Sequence, residues 1–313
     1  MRLTFLQGAF WLTLLSCSSI IGLYVYSYIY NMYSEYFQDK NRVLDVRKSL
    51  IIAREQYKDS ISLSDIDKLA EEFSRNQSLY KPVQPVGEKI IFLVPYRDRK
   101  QDLLAFLLHM TAYLRIKGTN YEIVVIEQKE GGRFNRAKLF NAALREIFTA
   151  KPGDRLYQCK CFAFHDVDKI PMSLKTPYRC AFRPIQILRY VHYKEGGKMM
   201  FRTTLGGVTL FTQTHLEAMN GASNSFEGWG GEDDDLRKRV SYIHQRPILV
   251  RFDEGQFYEE NGDSHFRDKS DARYEMLARS NRQSMMEDGL RQVQYTLVER
   301  KNFTNFIWMY FII

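Results

Sequence analysis

Residues 90–99 read IIFLVPYRDR, a short unbroken apolar run that ends in a turn. A strand with one wet face alternates apolar and polar residues, so a continuous run of this length predicts a strand buried on both faces. The next four segments of the chain set the fold class. Residues 102–118, DLLAFLLHMTAYLRIKG, have helical periodicity and stop at Gly118; residues 121–128, YEIVVIEQ, read as a second strand. Residues 134–148, FNRAKLFNAALREIF, read as a second helix and 160–168, KCFAFHDVD, as a third strand. Strand, helix, strand, helix, strand predicts an α/β domain whose sheet is mostly parallel and carries helices on its faces. Ligands of such sheets lie beyond the carboxyl ends of the strands, where Pro95 to Arg99, Glu127-Gln128 and Asp166-Val167-Asp168 fall. No GxxxxGK[ST] loop occurs and no GxGxxG follows the first strand, which argues against ATP and nicotinamide cofactors.

Toward the amino terminus, no charge occurs from Leu3 to Ser34, a stretch longer than the roughly 20 residues a bilayer requires. Tyr24, Tyr26, Tyr28, Tyr30 and Tyr33 suit a water–lipid interface. The expected organisation is a short tail over 1–7, a transmembrane signal anchor over 8–30, a stem over 31–86 and a folded body over 87–313. Within the stem, Ser64 is expected to start an amphipathic helix carrying Ile66, Leu69 and Phe73. Counting Arg2 against Lys40, Arg42, Arg47 and Lys48 leans toward a cytosolic body. The glycosylation sequons at Asn76 and Asn302 lean the other way, since they are modified only in the secretory lumen. The apolar end NFIWMYFII is too short to span a bilayer and reads as a terminal strand.

Lys and Arg exceed Asp and Glu by 45 − 37 = 8, without basic runs, so no nucleic-acid partner is expected and an anionic small substrate fits. Four cysteines are too few for a disulfide-built scaffold, though one pair can staple a loop. The acids carry the chemistry. Asp166 and Asp168, with one residue between them, are expected to close a strand with their carboxylates pointing different ways, so that one suits a metal and the other a sugar hydroxyl. In Gly228-Trp229-Gly230-Gly231-Glu232-Asp233-Asp234-Asp235, four consecutive acids repel one another unless cations or hydroxyls bind them. They precede LRKRV, a helix start where carboxylates are favoured. An aromatic face beside carboxylates matches a carbohydrate, which stacks on the ring and can yield one hydroxyl proton to an acid. His265 joined to Asp168 would give a mixed oxygen and nitrogen site, better suited to manganese than magnesium.

Taken together, FLVPYRDR, FNRAKLFNAAL, CFAFHDVDKIP, PYRC, LGGVTLFT, FEGWGGEDDDLRKRV and EDGLRQVQYTLV resemble, in family order from Ile90 to Leu297, the β-1,4-galactosyltransferases of glycosyltransferase family 7. The resemblance implies a Rossmann-like domain of the GT-A type and a single-pass type II Golgi membrane enzyme with a lumenal catalytic domain. It implies Mn2+ as cofactor, UDP-galactose or UDP-N-acetylgalactosamine as donor and a glycan as acceptor. By the same resemblance, Pro95, Arg97, Arg99, Phe134, Arg136, Asp166, Val167 and Trp229 contact the nucleotide sugar. Glu232, Asp233 and Asp234 are the catalytic and hydroxyl-binding acids, with Asp233 the general base. Asp168 and His265 are metal ligands, and Cys161 and Cys180 form a disulfide.

Three departures bear on specificity. Family members place a Met three residues, or a His two residues, before the histidine ligand; here those positions are Gly262 and Asp263, which makes Asp263 a candidate third ligand. The Tyr that galactose-specific members carry two residues before Gly206-Gly207 is Thr204. The HDVD wording resembles the branch that uses xylose acceptors, whereas Cys161, Cys180 and the acceptor-pocket pair Arg273-Tyr274 resemble the branch that uses N-acetylglucosamine. The expected activity is transfer to the 4-hydroxyl of an N-acetylglucosamine-type acceptor on glycoproteins or glycolipids. The alternatives are transfer to xylose of a proteoglycan linker, or a membrane-tethered, catalytically weak sugar-binding homologue.

Overall fold

The computed structural model describes residues 46–57, 60–77, 85–129, 131–194, 196–200, 204–260 and 272–313. Strand β1 (Val86–Tyr96) is the axis of the fold. It pairs in parallel with β2 (Thr119–Gln128) and with β3 (Cys161–His165). Its side chains alternate between two cores: Ile90, Phe92 and Val94 enter one, Ile91 and Leu93 the other. This is the two-sided burial that the unbroken apolar run requires.

Two helices provide the covering layers. Helix α3 (Lys100–Ile116) is buried continuously from Leu103 to Leu114, and α4 (Arg136–Phe148) buries Leu139, Phe140, Ala143 and Leu144 on the opposite face. The remaining strands are β4 (Ile170–Pro171), β5 (Ile185–Gln186), β6 (Tyr190–His192), β7 (Gly197–Met199), β8 (Val208–Thr212), β9 (Ile248–Leu249), β10 (Gln256–Tyr258), β11 (Thr296–Asn302) and β12 (Ile307–Ile312). The main sheet runs β11-β12-β2-β1-β3-β8-β5-β9 and a smaller one β4-β10-β6-β7. Strand β8 runs antiparallel to β3, so the sheet is mixed, and the short helix α5 (Gln213–Ala218) follows β8. The apolar carboxyl end is the expected strand, β12, inserted parallel to β2 with Trp308 opposite Val125.

An all-round apolar helix such as α3 needs cover on its outer side as well. Residues 46–76, expected as stem, supply it. They form α1 (Val46–Gln56) and α2 (Leu63–Arg75), whose Ala53, Ile66, Ala70 and Phe73 join the same core as α3. The cap of α2 is Ser62 rather than Ser64: its hydroxyl accepts from the Asp65 amide at 3.1 Å, and the Asp65 carboxylate accepts from the Ser62 amide at 3.2 Å. Arg115 on α3 donates to Glu71 at 2.6 Å, and buried Asp67 accepts from the Asn305 amide at 2.8 Å. These contacts tie the two helices to the body.

Among the described residues no helix is long and apolar enough to cross a membrane. The expected tail and anchor, residues 1–30, lie outside the described residues. A disulfide joins Cys161 to Cys180 with Cα atoms 5.7 Å apart. Asn76, the C-cap of α2, and Asn302, at the end of β11, are both exposed.

Candidate active site

Beyond the carboxyl end of β3, Asp166 is linked through Arg136 to the acidic start of α6 (Glu232–Tyr242). Helix α4 contributes Arg136 from its first turn, where Asn135 caps the helix by accepting from the Lys138 amide at 2.8 Å. Arg136 donates to Asp166 at 2.7 Å and to Asp233 at 2.7 Å, with Glu232 4.0 Å away. Burial opposes its charge, but Asp166, Asp233 and Glu232 together hold it protonated. One arginine facing three acids leaves the carboxyls in excess. Burial, with Glu232 and Asp166 close by, raises Asp233 to about 8 despite its ion pair, and burial likewise raises Glu232.

Backbone geometry holds Asp233 in place. The Leu205 amide donates to the Asp233 carbonyl at 3.2 Å, and the Asp166 amide donates to the Gly207 carbonyl at 2.9 Å. A Cβ on Gly206 would lie 2.3 Å from Asp233 Oδ2, so only glycine lets this carboxyl approach the chain there. Gly231, the N-cap of α6, has φ +95°, and this left-handed residue turns the Trp229 loop into the helix. Trp229, three residues before the first acid, is 42% exposed. Asp235 serves the structure: it is buried, accepts from Arg239 at 2.6 Å and from the Ser280 hydroxyl at 2.5 Å. Burial raises half-buried Asp234.

A second group of charges lies at Asp168. Its two oxygens take Lys169 at 2.7 Å and Arg99 at 2.8 Å, and Arg99 also donates to Asp102 at 2.8 Å. Burial would raise Asp168, yet Lys169 and Arg99 hold it well below the usual carboxylate range. Lys169 makes a further ion pair with buried Glu259 at 2.9 Å. The topology dictates this meeting, since β4 pairs antiparallel with β10 and sets Ile170 opposite Tyr258. Strand β3 ends at His165, so Asp166 and Asp168 lie in the turn beyond it and not on the strand as expected; on a strand, positions two apart would share a face, whereas the turn sends them into different networks.

Pro95 is buried at the end of β1, and Val167 is buried beside the two acids. Arg97 donates to the Gly132 carbonyl at 2.7 Å and lies 5.3 Å from the Phe134 ring, whose carbonyl accepts from the Gly228 amide at 2.8 Å. Thr204 is half-buried just before Leu205. Arg273, at the start of α7 (Arg273–Arg279), sits 3.1 Å from where a Gly230 Cβ would be and stacks at 4.4 Å on the exposed Tyr274 ring. The candidate ligands Asp263 and His265 lie outside the described residues. His165, which begins HDVD, is fully buried and hydrogen-bonds the Tyr178 hydroxyl at 2.9 Å, so it belongs to the core.

Sequence reasoning missed Lys169 and Glu259. The available signal was a lysine directly after the two acids of Asp166-Val167-Asp168 and an acid directly after the aromatic pair Phe257-Tyr258. Asp168 and Glu259 are hard oxygen donors disposed around one positive charge, which is the donor type that manganese and magnesium take. In that respect the residues present fit a divalent cation.

Residues 45–181 match the family described as the N-terminal region of glycosyl transferase group 7, and residues 187–261 match that described as the N-terminal domain of galactosyltransferase. The chain is 34% identical to human beta-1,4-galactosyltransferase 4 over 59% of its own length and 51% of that protein's, and 30% identical to the rat protein over 77% and 68%. It therefore spans between about half and two thirds of the length of these relatives. Among solved structures, the catalytic domain of Drosophila beta1,4-galactosyltransferase 7 in complex with xylobiose is similar with a TM-score of 0.61 and 27% identity, over 72% of this chain and 94% of that one. A mutant of that enzyme bound to manganese, UDP-Gal and xylobiose aligns with a TM-score of 0.60 and 26% identity, over the same shares of the two chains. With the mixed α/β sheet, the acids around Arg136 and both halves of the family signature in place, the chain belongs to the β-1,4-galactosyltransferase family of glycosyltransferase family 7.

Proposed function

We propose that this chain is an inverting, metal-dependent β-1,4-glycosyltransferase that moves galactose or N-acetylgalactosamine from a UDP-sugar to the 4-hydroxyl of an N-acetylglucosamine-type acceptor. The observation that carries this reading is Arg136 joining Asp166 to Asp233: one cation sits between an acid in the turn after β3 and a carboxyl raised to about 8. Phe134 and Arg97 offer stacking surface and charge to the uracil nucleotide. Arg99 Nη2 is buried with no hydrogen-bond partner among the described residues, and a diphosphate oxygen would satisfy it. Arg136 then counters the charge of the leaving diphosphate. Asp233 accepts the proton of the acceptor hydroxyl, whose oxygen bonds to the anomeric carbon as the bond to UDP breaks on the opposite side. That single displacement inverts the centre.

A divalent cation held by Asp168 and Glu259, manganese in the homologous complex, would supply further positive charge against the diphosphate. The lumenal, type II Golgi placement rests on the charge-free amino-terminal stretch, the disulfide and the exposed sequon asparagines. Thr204 in place of a bulky Tyr leaves room for a 2-acetamido group on the donor.

A second acceptor reading, xylose, is supported by the xylobiose complex of the Drosophila relative. The HDVD wording resembles that same branch, although His165 itself is a core residue. The test is to offer the full-length chain in detergent both donors, N-acetylglucosamine and xyloside acceptors, with and without manganese. Transfer to N-acetylglucosamine supports the reading, transfer to xylose alone selects the second, and binding without turnover assigns a sugar-binding homologue.

A further inference from the structure

We infer that Lys169 is a tethered cation occupying the divalent-metal position between Asp168 and Glu259, so that metal must displace its ammonium to bind. The inference rests on the metal dependence in the preceding reading and adds which groups form the site and what opposes its filling. Lys169 Nζ stands 2.7 Å from Asp168 and 2.9 Å from Glu259, and both carboxylates are buried. Two buried acids at one locus repel strongly and need a positive charge between them. Lysine suits the task because it is a compact point charge on a flexible stem and can swing away.

Arg99 cannot leave as readily. Its guanidinium is shared with Asp102 on α3, so it remains on the other oxygen of Asp168 while Lys169 is the exchangeable partner. The position of Lys169 follows from the fold: it lies between Asp168, in the turn after β3, and the β4–β10 pairing that brings Glu259 alongside. When metal binds, the ammonium moves off the two carboxylates toward solvent or an anionic ligand. No covalent bond changes.

Manganese binding to the full-length chain in detergent, followed by electron paramagnetic resonance without donor or acceptor, tests this apart from turnover. Removing the competing charge in Lys169→Met is expected to tighten manganese binding roughly tenfold or more. Lys169→Arg keeps a cation there and should stay within about threefold of wild type. Glu259→Gln removes a donor and should weaken binding roughly tenfold. Unchanged or weaker binding in Lys169→Met overturns the inference, as does equal tightening in Met and Arg variants, which would make the effect steric. Should thermal melts show that Lys169→Met does not fold, Lys169→Gln and Glu259→Gln decide by the same criteria. Transfer assayed in the same wild-type sample separates the two readings. Sugar transfer with no Lys169 effect sinks only this inference, whereas tightening without transfer from any donor sinks only the proposed function.

Discussion

Asp233 and Asp168 are both aspartates brought to the same end of one sheet, yet their environments drive them in opposite directions. Around Arg136, a single cation serves Asp166, Asp233 and Glu232, and Asp233 is raised to about 8. Around Asp168, Lys169 and Arg99 each take one oxygen, and the carboxyl is held well below its ordinary range. Burial penalises both charges. The ratio of cations to acids decides which one keeps a proton near neutrality. The first arrangement suits a base that must gain and lose a proton, the second a carboxylate that stays charged for a cation.

The largest expected effect breaks the first region. Asp233→Asn should lower turnover about a hundredfold or more while leaving UDP binding nearly intact. Calorimetric UDP affinity alongside kcat checks it, and unchanged turnover would remove Asp233 as the base. Wild-type activity should rise with pH through the region near 8, as Asp233 loses its proton. Stability has the opposite sign. Because the folded carboxyl binds its proton more tightly than the unfolded one, its contribution declines as pH climbs from the ordinary carboxylate range toward 8. The Tm of Asp233→Asn relative to wild type should therefore increase over that interval.

The second region predicts the reverse. Asp168→Asn should cost on the order of 3 kcal/mol at neutral pH, because Lys169 and Arg99 lose a buried partner. The loss should shrink as pH falls below the ordinary carboxylate range, since wild-type stability from a depressed carboxyl disappears there. Denaturant unfolding across pH compares the two, and a pH-independent difference would contradict the charge assignment.

A smaller effect isolates geometry from charge. Gly206→Ala leaves every charge in place but sets a Cβ 2.3 Å from Asp233 Oδ2, so kcat should fall roughly tenfold with little change in melting. Smallest is Thr204→Tyr, which should shift the ratio of kcat/KM for UDP-N-acetylgalactosamine over UDP-galactose against the larger donor by roughly 1 kcal/mol. A wild type that strongly prefers galactose, with a ratio the substitution leaves unaltered, would show that Thr204 does not gate the donor.

Legibility differs between these regions for a physical reason. The acids of GWGGEDDD are contiguous, so their crowding can be read directly, and Asp233 stands out in the sequence itself. The cation around Asp168 is half hidden. Asp168 itself lies in the turn just after β3, but Glu259 lies 91 positions further along and reaches Lys169 only through the pairing of β4 with β10. Residues 46–76 mislead in another way: their polar composition suits a spacer, and only the outer surface of α3 shows why Ile66, Ala70 and Phe73 are buried.

The sequence by itself determined the order of β1, α3, β2, α4 and β3, the two-sided burial of β1, the terminal strand and the family, because periodicity, apolar runs and contiguous motifs are local properties of a chain. Tertiary structure alone decided which acid meets which cation. Charge pairing depends on distances between residues far apart along the chain: Asp166 and Asp168 lie two positions apart in the turn after β3, yet one meets Arg136 of α4 and the other meets Arg99 and Lys169.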